Sequence, residues 1–220
     1  EMLRKKVAKL LHLSLRELGE IEIVRRSIDA RKKPELFSVY LLRLCLPKEE
    51  RFRKLPNVTL DTRQPYVLPP RGEARLVSRP VIIGTGPAGL FAGLMLAEAG
   101  YQPILLERGL PAAARKQLVD AFWAGAPLNP DCNVSFGEGG AGTFSDGKLN
   151  TLVKDNAGRN RKVLELFCKF GADSSILYEQ KPHVGTDRLI SIVTAMREEI
   201  LRLGGEVRFS SRAVDFRVEE

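Results

Sequence analysis

The sequence predicts a mixed α/β protein in which a small basic α+β module precedes a larger α/β domain. Two observations support this prediction. The net positive charge is confined to the first third of the chain, and a glycine-rich turn stands between a short apolar run and a helical segment. A second apolar run then ends in an acidic residue, Glu107. Strand, turn, helix and strand in this order are typical of domains built on a parallel sheet.

The overall composition is that of an ordinary globular protein. Hydrophobic residues make up 44% and charged residues 28% of the 220 positions. The early apolar run at residues 10–15 is too short and too interrupted for a signal peptide or a membrane span. We therefore expect a cytoplasmic protein that does not contact a membrane. Three scattered cysteines and two histidines argue against a disulfide framework and against a metal site.

The positive charge is unevenly distributed. Residues 1–80 contain 19 Lys and Arg against 10 Asp and Glu, whereas residues 81–220 contain 16 against 17. A basic cluster lies in the first third and comprises Arg25, Arg26, Arg31, Lys32 and Lys33. It fits a solvated or domain-docking face, a contact for the phosphates of a cofactor or for an acidic partner, or an RNA surface. Few aromatic residues lie nearby for base stacking, so nucleic acid is not the favoured partner.

The predicted basic module covers residues 1–46. Helical spacing of apolar residues predicts a helix over 2–11, and β-branched and aromatic residues predict strands over 21–28 and 37–46. A polar turn separates the two strands, which indicates a hairpin. Residues 47–79 are rich in proline and carry few apolar runs, so we predict a linker or a wrapped connection there.

The glycine-rich turn has the pattern G-x-G-x-x-G. It follows the predicted strand Val81–Ile83 and opens a predicted helix over 87–99. In such turns the first glycine permits a tight bend, the second lets a pyrophosphate approach the backbone, and the third lets helix and strand pack closely. The free N–H groups at the helix N-terminus attract phosphate. The candidate cofactor-binding residues of this turn are Gly84, Gly86, Pro87, Ala88 and Gly89.

The second predicted strand, over 103–106, supplies the acidic residue of the motif. Glu107 lies 23 positions after Gly84, close to the offset of about 20 at which a carboxylate holds a ribose 2′-hydroxyl. A carboxylate there repels a 2′-phosphate, which disfavours NADP. Residues 80–220 therefore predict a Rossmann-like dinucleotide-binding domain, and both FAD and NAD are bound by turns of this kind.

The motif resembles that of the flavoproteins with two dinucleotide-binding domains. The resemblance rests on Gly-Pro-Ala-Gly-Leu at 86–90 and Glu-Arg-Gly at 107–109. It implies that this unit binds the ADP half of FAD. A second cluster, with five glycines over 135–148, then corresponds to the loop that meets the pyrophosphate and the flavin. The resemblance adds these candidate cofactor-binding residues: Arg108, Gly139, Gly140, Gly142, Thr143 and Ser145.

The last third of the chain predicts a helix over 187–203, followed by strands over 206–209 and 212–218. This arrangement resembles the flavoprotein element in which a strand contacts the adenine through its backbone. The resemblance places that contact near Val214, which is the last candidate cofactor-binding residue.

Taken together, residues 20–220 resemble the N-terminal part of the uncharacterised FAD-dependent dehydrogenases. The resemblance rests on the segments 25–33, 137–148 and 181–187 as well as on the turn. It implies an FAD-dependent oxidoreductase that transfers a hydride between a small-molecule substrate and flavin, with NAD(P)H as a candidate electron donor. Flavoproteins of this type continue into further strands and a late Gly-Asp. We therefore expect the 220 residues to be a fragment that binds FAD weakly when isolated.

The sequence holds no complete catalytic constellation. His183 is a candidate acid or base because imidazole titrates near neutrality, and Lys148 is a candidate for stabilising negative charge on a reduced flavin. Cys132 stands alone, which disfavours disulfide reduction. Two alternatives stay open. One is an RNA-associated flavoprotein whose basic module recruits nucleic acid, and the other is an NAD-binding dehydrogenase.

Overall fold

The protein is mixed α/β in a computed structural model that describes residues 1–74, 76–149, 151 and 153–218. The described residues form two compact units. The first comprises those of Glu1–Tyr66, Asn150–Glu165 and Ser174–Pro182, and the second comprises those of Val67–Leu149, Leu166–Asp173 and His183–Glu220. The predicted boundaries lie near residues 46 and 79, whereas the first compact unit also includes two later stretches of the chain.

The first unit contains the predicted helix and hairpin. Helix α1 spans Met2–Leu11, and the antiparallel strands β1 (Ile21–Asp29) and β2 (Phe37–Leu44) form the hairpin, which ends two residues earlier than predicted. The outer edge of β1 is also paired, because Arg26 donates its N–H to the Tyr178 carbonyl at 2.7 Å. This pairing joins β1 to the stretch Ser174–Pro182, which belongs to the first unit although it lies far along the chain.

Part of the predicted linker is packed. Residues Glu49–Phe52 form a short 3₁₀ helix. Phe52 is only 4% exposed and lies in one core with the buried residues of α1. Leu55 and Val58 pack against the same core. Residues 49–58 therefore differ from the predicted linker. Their apolar side chains are too widely spaced to show helical or strand periodicity, but each finds a partner from elsewhere in the chain.

The second unit is built on a three-stranded parallel sheet in the order β3-β4-β5. Its strands are β3 (Val81–Ile83), β4 (Ile104–Leu106) and β5 (Glu206–Arg208). The helices of the chain from α2 onwards are α2 (Pro87–Glu98), α3 (Ala112–Trp123), α4 (Arg159–Lys169) and α5 (Thr186–Arg202). The division between the two units falls within α4. No helix in the described part of the chain is both long and apolar enough to cross a bilayer.

The core of the second unit lies between the sheet and the helices α2 and α5. Helix α2 contacts β3, β4 and α5, while α5 contacts β5. The apolar faces of both helices are buried; they comprise Leu90, Leu94 and Ala97 on α2, and Leu189, Ile192, Val193, Met196 and Ile200 on α5. Gly93 lets α2 approach the sheet, because a Cβ there would lie 2.8 Å from Leu105 Cδ2.

The predicted final strand over 212–218 is wrong. After β5, Ser210 donates its N–H to the Gly109 carbonyl at 3.0 Å and Ser211 donates to the Glu107 carbonyl at 2.8 Å. The described residues beyond them form no strand, and Val214 is 85% exposed. β-Branched spacing alone cannot make a strand, because the backbone N–H and C=O groups of a strand need a neighbour to pair with.

The buried Phe52 leads to a stability prediction. We expect Phe52→Ala to destabilise the first unit by about 3–5 kcal/mol, because a buried aromatic ring leaves a cavity when it is removed. Native-state hydrogen exchange of the α1 amides measures this change in the first unit specifically. The matched control is Leu60→Ala in the same proline-rich stretch, which is exposed and should change stability by less than about 0.5 kcal/mol. Equal, small effects of the two substitutions would contradict the packing of residues 49–58.

Candidate functional site

A cleft of about 340 Å³ opens at the carboxyl ends of β3 and β4. It brings together five of the predicted cofactor-binding residues: Gly84, Gly86, Glu107, Arg108 and Gly140. The rest of its lining includes Phe136, Ser211, Arg212 and Ala213. The other predicted cofactor-binding residues do not line this cleft; they are Pro87, Ala88, Gly89, Gly139, Gly142, Thr143, Ser145 and Val214. Pro87, Ala88, Gly89 and Gly139 lie in the segments that border it, whereas Thr143 is buried and Val214 is exposed.

The glycine-rich turn has room on its cleft side and none behind it. Gly84 has a φ of 92°, in the left-handed region that favours glycine. A Cβ built on Gly86 would meet no atom within 4 Å, whereas a Cβ on Gly89 would collide with the Gly84 carbonyl oxygen. The second glycine therefore leaves space for a ligand to approach the backbone, and the third allows close packing of α2 on the turn.

Helix α2 begins at the edge of this cleft. Gly86 is its N-cap, has no side chain to bond the first N–H groups, and is followed by Pro87. The first intrahelical bond runs from the Leu90 N–H to the Gly86 carbonyl at 2.9 Å. The N–H groups of Ala88 and Gly89 therefore precede the helical ladder, and the positive end of the helix dipole lies beside the cleft.

Glu107 follows β4 and is buried, with 4% of its surface exposed. One carboxylate oxygen, Oε2, accepts hydrogen bonds from the Thr85 N–H at 2.8 Å and from Thr85 Oγ1 at 2.7 Å. The other, Oε1, accepts a bond from the Gly109 N–H at 2.8 Å. The carboxylate thus joins the glycine-rich turn to the end of β4 while it lines the cleft.

A single arginine on α3 organises the second glycine-rich segment. Arg115 is fully buried, and burial lowers the pKa of its guanidinium. Its N–H groups donate to the main-chain carbonyls of residues 133, 134, 138 and 140 at 2.6–2.9 Å, and to the carbonyl of residue 137 at 3.3 Å. The guanidinium also lies 4.7 Å from the Phe144 ring centroid. The main-chain carbonyls of the loop that borders the cleft therefore surround the Arg115 guanidinium.

A buried carboxylate attaches the same loop to two helices. Glu138 is fully buried and accepts a 2.6 Å bond from the Ala112 N–H at the start of α3 and a 2.8 Å bond from Arg197 Nε on α5. Burial raises the pKa of the Glu138 carboxyl, and its bonds to Ala112 and Arg197 oppose that rise. The neighbouring Gly139 donates its N–H to the Thr85 carbonyl at 2.9 Å. The two glycine-rich segments therefore lie side by side.

The residues that hold this arrangement are not among the predicted site residues; they are Thr85, Arg115, Glu138 and Arg197. A signal for Arg115 was present, because it shares the buried face of α3 with Ala112 and Val119. A charged residue on an apolar helical stripe indicates a buried polar contact. Glu138 is similarly conspicuous as a lone acid among glycines, but no local pattern identifies its partner on α5.

The candidate catalytic residues lie together but outside the cleft. Lys148 and His183 face each other in an isolated antiparallel bridge, and both side chains are exposed. Lys148 Nζ lies 2.6 Å from Asp146 Oδ2, and this hydrogen-bonded pair raises the pKa of the Lys148 ammonium. Cys132 is buried and accepts a 3.4 Å bond from the Leu110 N–H, as expected for a small core residue.

The basic cluster is partly neutralised within the first unit. Arg26 lies 2.9 Å from Glu179 Oε1, and Arg31 lies 2.7 Å from Asp29 Oδ2. The hydrogen bonds from Arg31 lower the pKa of Asp29 to about 2. Arg25, Lys32 and Lys33 are exposed. In the part of the chain that the structure describes, no group of three or more His, Cys, Asp or Glu is placed to hold a metal ion.

Comparison with known proteins gives two similarities. Residues 1–45 match the model of a domain of unknown function, DUF8436. The chain is also 42% identical, over 214 residues, to a Clostridium beijerinckii protein described as uncharacterized. The match covers 96% of this chain and 40% of that relative, so the chain spans well under half the length of the relative.

The role of Arg115 leads to a second stability prediction. We expect Arg115→Lys to cost about 3 kcal/mol or more, because a lysine cannot reach all the carbonyls and leaves several buried acceptors unpaired. Urea denaturation of the purified protein measures the difference in the free energy of unfolding. The matched control is Lys116→Ala on the same helix. Its pair with Asp120 is exposed to solvent, so removing it should change the free energy of unfolding little. A loss for Arg115→Lys as small as that of the control would show that the guanidinium does not hold the loop.

Proposed function

We propose that the second unit is the N-terminal part of a Rossmann-like FAD-binding domain, and that it serves an FAD-dependent oxidoreductase. The observation that carries this proposal is the cleft at the carboxyl ends of β3 and β4, where Gly84 and Gly86 lie beside Glu107. In open sheets with parallel strands, ligands bind in the crevice outside the carboxyl ends of the strands. The site in question is therefore where a nucleotide is expected.

The residues of the cleft fit the ADP half of a dinucleotide. The space in front of Gly86 would admit a pyrophosphate close to the backbone, and the N-terminus of α2 favours its negative charge. Arg108 and Arg212 add positive charge to the lining. Glu107 offers an acceptor for a ribose hydroxyl, and its carboxylate disfavours a 2′-phosphate.

The choice of FAD over NAD rests on the second glycine-rich segment and on the family resemblance. Residues 137–140 lie against the first turn, since a Cβ on Gly140 would lie 2.9 Å from Pro87 Cδ. This backbone offers a second contact for a diphosphate or a ring. Once bound, FAD would supply hydride transfer at its flavin N5, while the residues of this chain bind and orient the ADP end. A small-molecule substrate and NAD(P)H as electron donor remain part of the proposal.

A glycine substitution tests the cleft directly. We expect Gly86→Ala to weaken the binding of FAD and ADP about tenfold or more, because its methyl group enters the space in front of the turn. Its free energy of unfolding should stay within about 1 kcal/mol of the unsubstituted protein, since Gly86 has an ordinary φ of −65°. Titration calorimetry with FAD, ADP and NAD⁺ measures the affinities, and urea denaturation measures the stability.

The control for this test is Gly72→Ala. Gly72 also has open space around its Cβ position but lies outside the cleft, so the affinities for FAD, ADP and NAD⁺ should be unchanged. Tighter binding of NAD⁺ than of FAD would favour the alternative of an NAD-binding dehydrogenase. Failure to bind either FAD or ADP would contradict the proposal as a whole.

A further inference from the structure

We infer that Thr85 is a positioning residue that leaves Glu107 a single open acceptor, so that the cleft recognises only one of the two ribose hydroxyls of an adenine nucleotide. This inference rests on the proposed function, and it concerns which ribose hydroxyl donates a hydrogen bond to the carboxylate. The test therefore measures how the affinity changes when one ribose hydroxyl of the ligand is removed, and not only whether the ligand binds.

The inference starts from the acceptor capacity of the carboxylate. Two oxygens offer about four lone-pair positions for hydrogen bonds. The N–H and the hydroxyl of Thr85 occupy both positions on Oε2, and the N–H of Gly109 occupies one on Oε1. Among the described residues no other donor is bonded to Oε1, so one position on it remains. A carboxylate that accepts hydrogen bonds from both hydroxyls of a ribose needs two open positions.

The carboxylate cannot easily turn to offer a second position. Thr85 is fully buried, and its hydroxyl and N–H would lose their acceptor if Glu107 rotated away. Unpaired buried donors are costly, so the observed orientation is strongly preferred. The Thr85 carbonyl in turn accepts the Gly139 N–H, which ties this residue to the second glycine-rich segment. Thr85 is therefore held on both sides.

Nucleotides that lack one hydroxyl test this geometry. ADP, 2′-deoxy-ADP and 3′-deoxy-ADP are titrated into the 220-residue chain by calorimetry. We expect one deoxy analogue to bind about tenfold or more weakly than ADP, because it loses the charge-assisted bond to Oε1. The other analogue should bind within about twofold of ADP, because its missing hydroxyl has no acceptor on Glu107.

Substitutions at position 85 test the positioning role. Thr85→Ser keeps the hydroxyl donor and should preserve the difference between the two analogues. Thr85→Val removes the donor and should reduce that difference to about threefold or less, because one restraint on the carboxylate is lost. A purely structural role would instead weaken all three ligands by the same factor and leave the difference unchanged. Circular dichroism verifies that each variant is folded.

Each remaining outcome has a distinct meaning. Equal losses for both analogues, or no loss for either, would overturn the single-acceptor inference while leaving nucleotide binding intact. An unchanged difference in folded Thr85→Val would overturn the role of Thr85. If Thr85→Val does not fold, the analogue series on the unsubstituted chain still decides the single-acceptor geometry. Thr85→Ser then decides the role of the hydroxyl. If the difference between the two analogues is lost in Thr85→Ser, the role of the Thr85 hydroxyl is overturned. Absence of ADP binding would contradict the proposed function and, with it, this inference.

Discussion

The second unit depends on the contact between the Arg115 guanidinium and the carbonyls of the loop around residues 133–140. These carbonyls belong to a segment rich in glycine, which has few side chains with which to form a core of its own. The cation replaces that missing core, because it gathers five carbonyl dipoles around one buried charge. The position of the loop beside the glycine-rich turn follows from this contact and from the bonds of Glu138.

Buried charged side chains of the unit also connect its elements to one another. Glu138 links the loop to α3 and α5, and Glu107 links the turn to the end of β4. Every described buried side-chain nitrogen or oxygen has a hydrogen-bond partner. Such fully paired groups specify one arrangement, because any displacement leaves a donor or acceptor unpaired. The cleft is therefore bordered by segments whose backbone positions are strongly determined.

Helices α1, α2 and α5, the hairpin and the strands β3 and β4 could be predicted from the sequence because each has a local signal. Apolar periodicity identifies α1, α2 and α5, and the glycine spacing identifies the turn between β3 and α2. Residues 49–58 and 212–218 were predicted less well, since a lone Phe52 or an alternating valine pattern acquires its meaning only from distant partners. The same holds for the site. Gly84, Gly86 and Glu107 are recognisable by spacing, whereas Arg115, Glu138 and Thr85 act through contacts that no local pattern encodes.

The complete engagement of Arg115 also has an electrostatic consequence. Its charge is directed at carbonyl dipoles inside the unit, so the cations available at the cleft itself are the lining residues Arg108 and Arg212. Arg108 stacks on the Phe136 ring at 3.5 Å, and the Arg212 side chain is largely exposed to water. Salt screens exposed charges far more than buried ones. Ionic strength would therefore govern how fast the proposed anionic ligand is drawn to the cleft, while leaving the shape of the cleft unchanged.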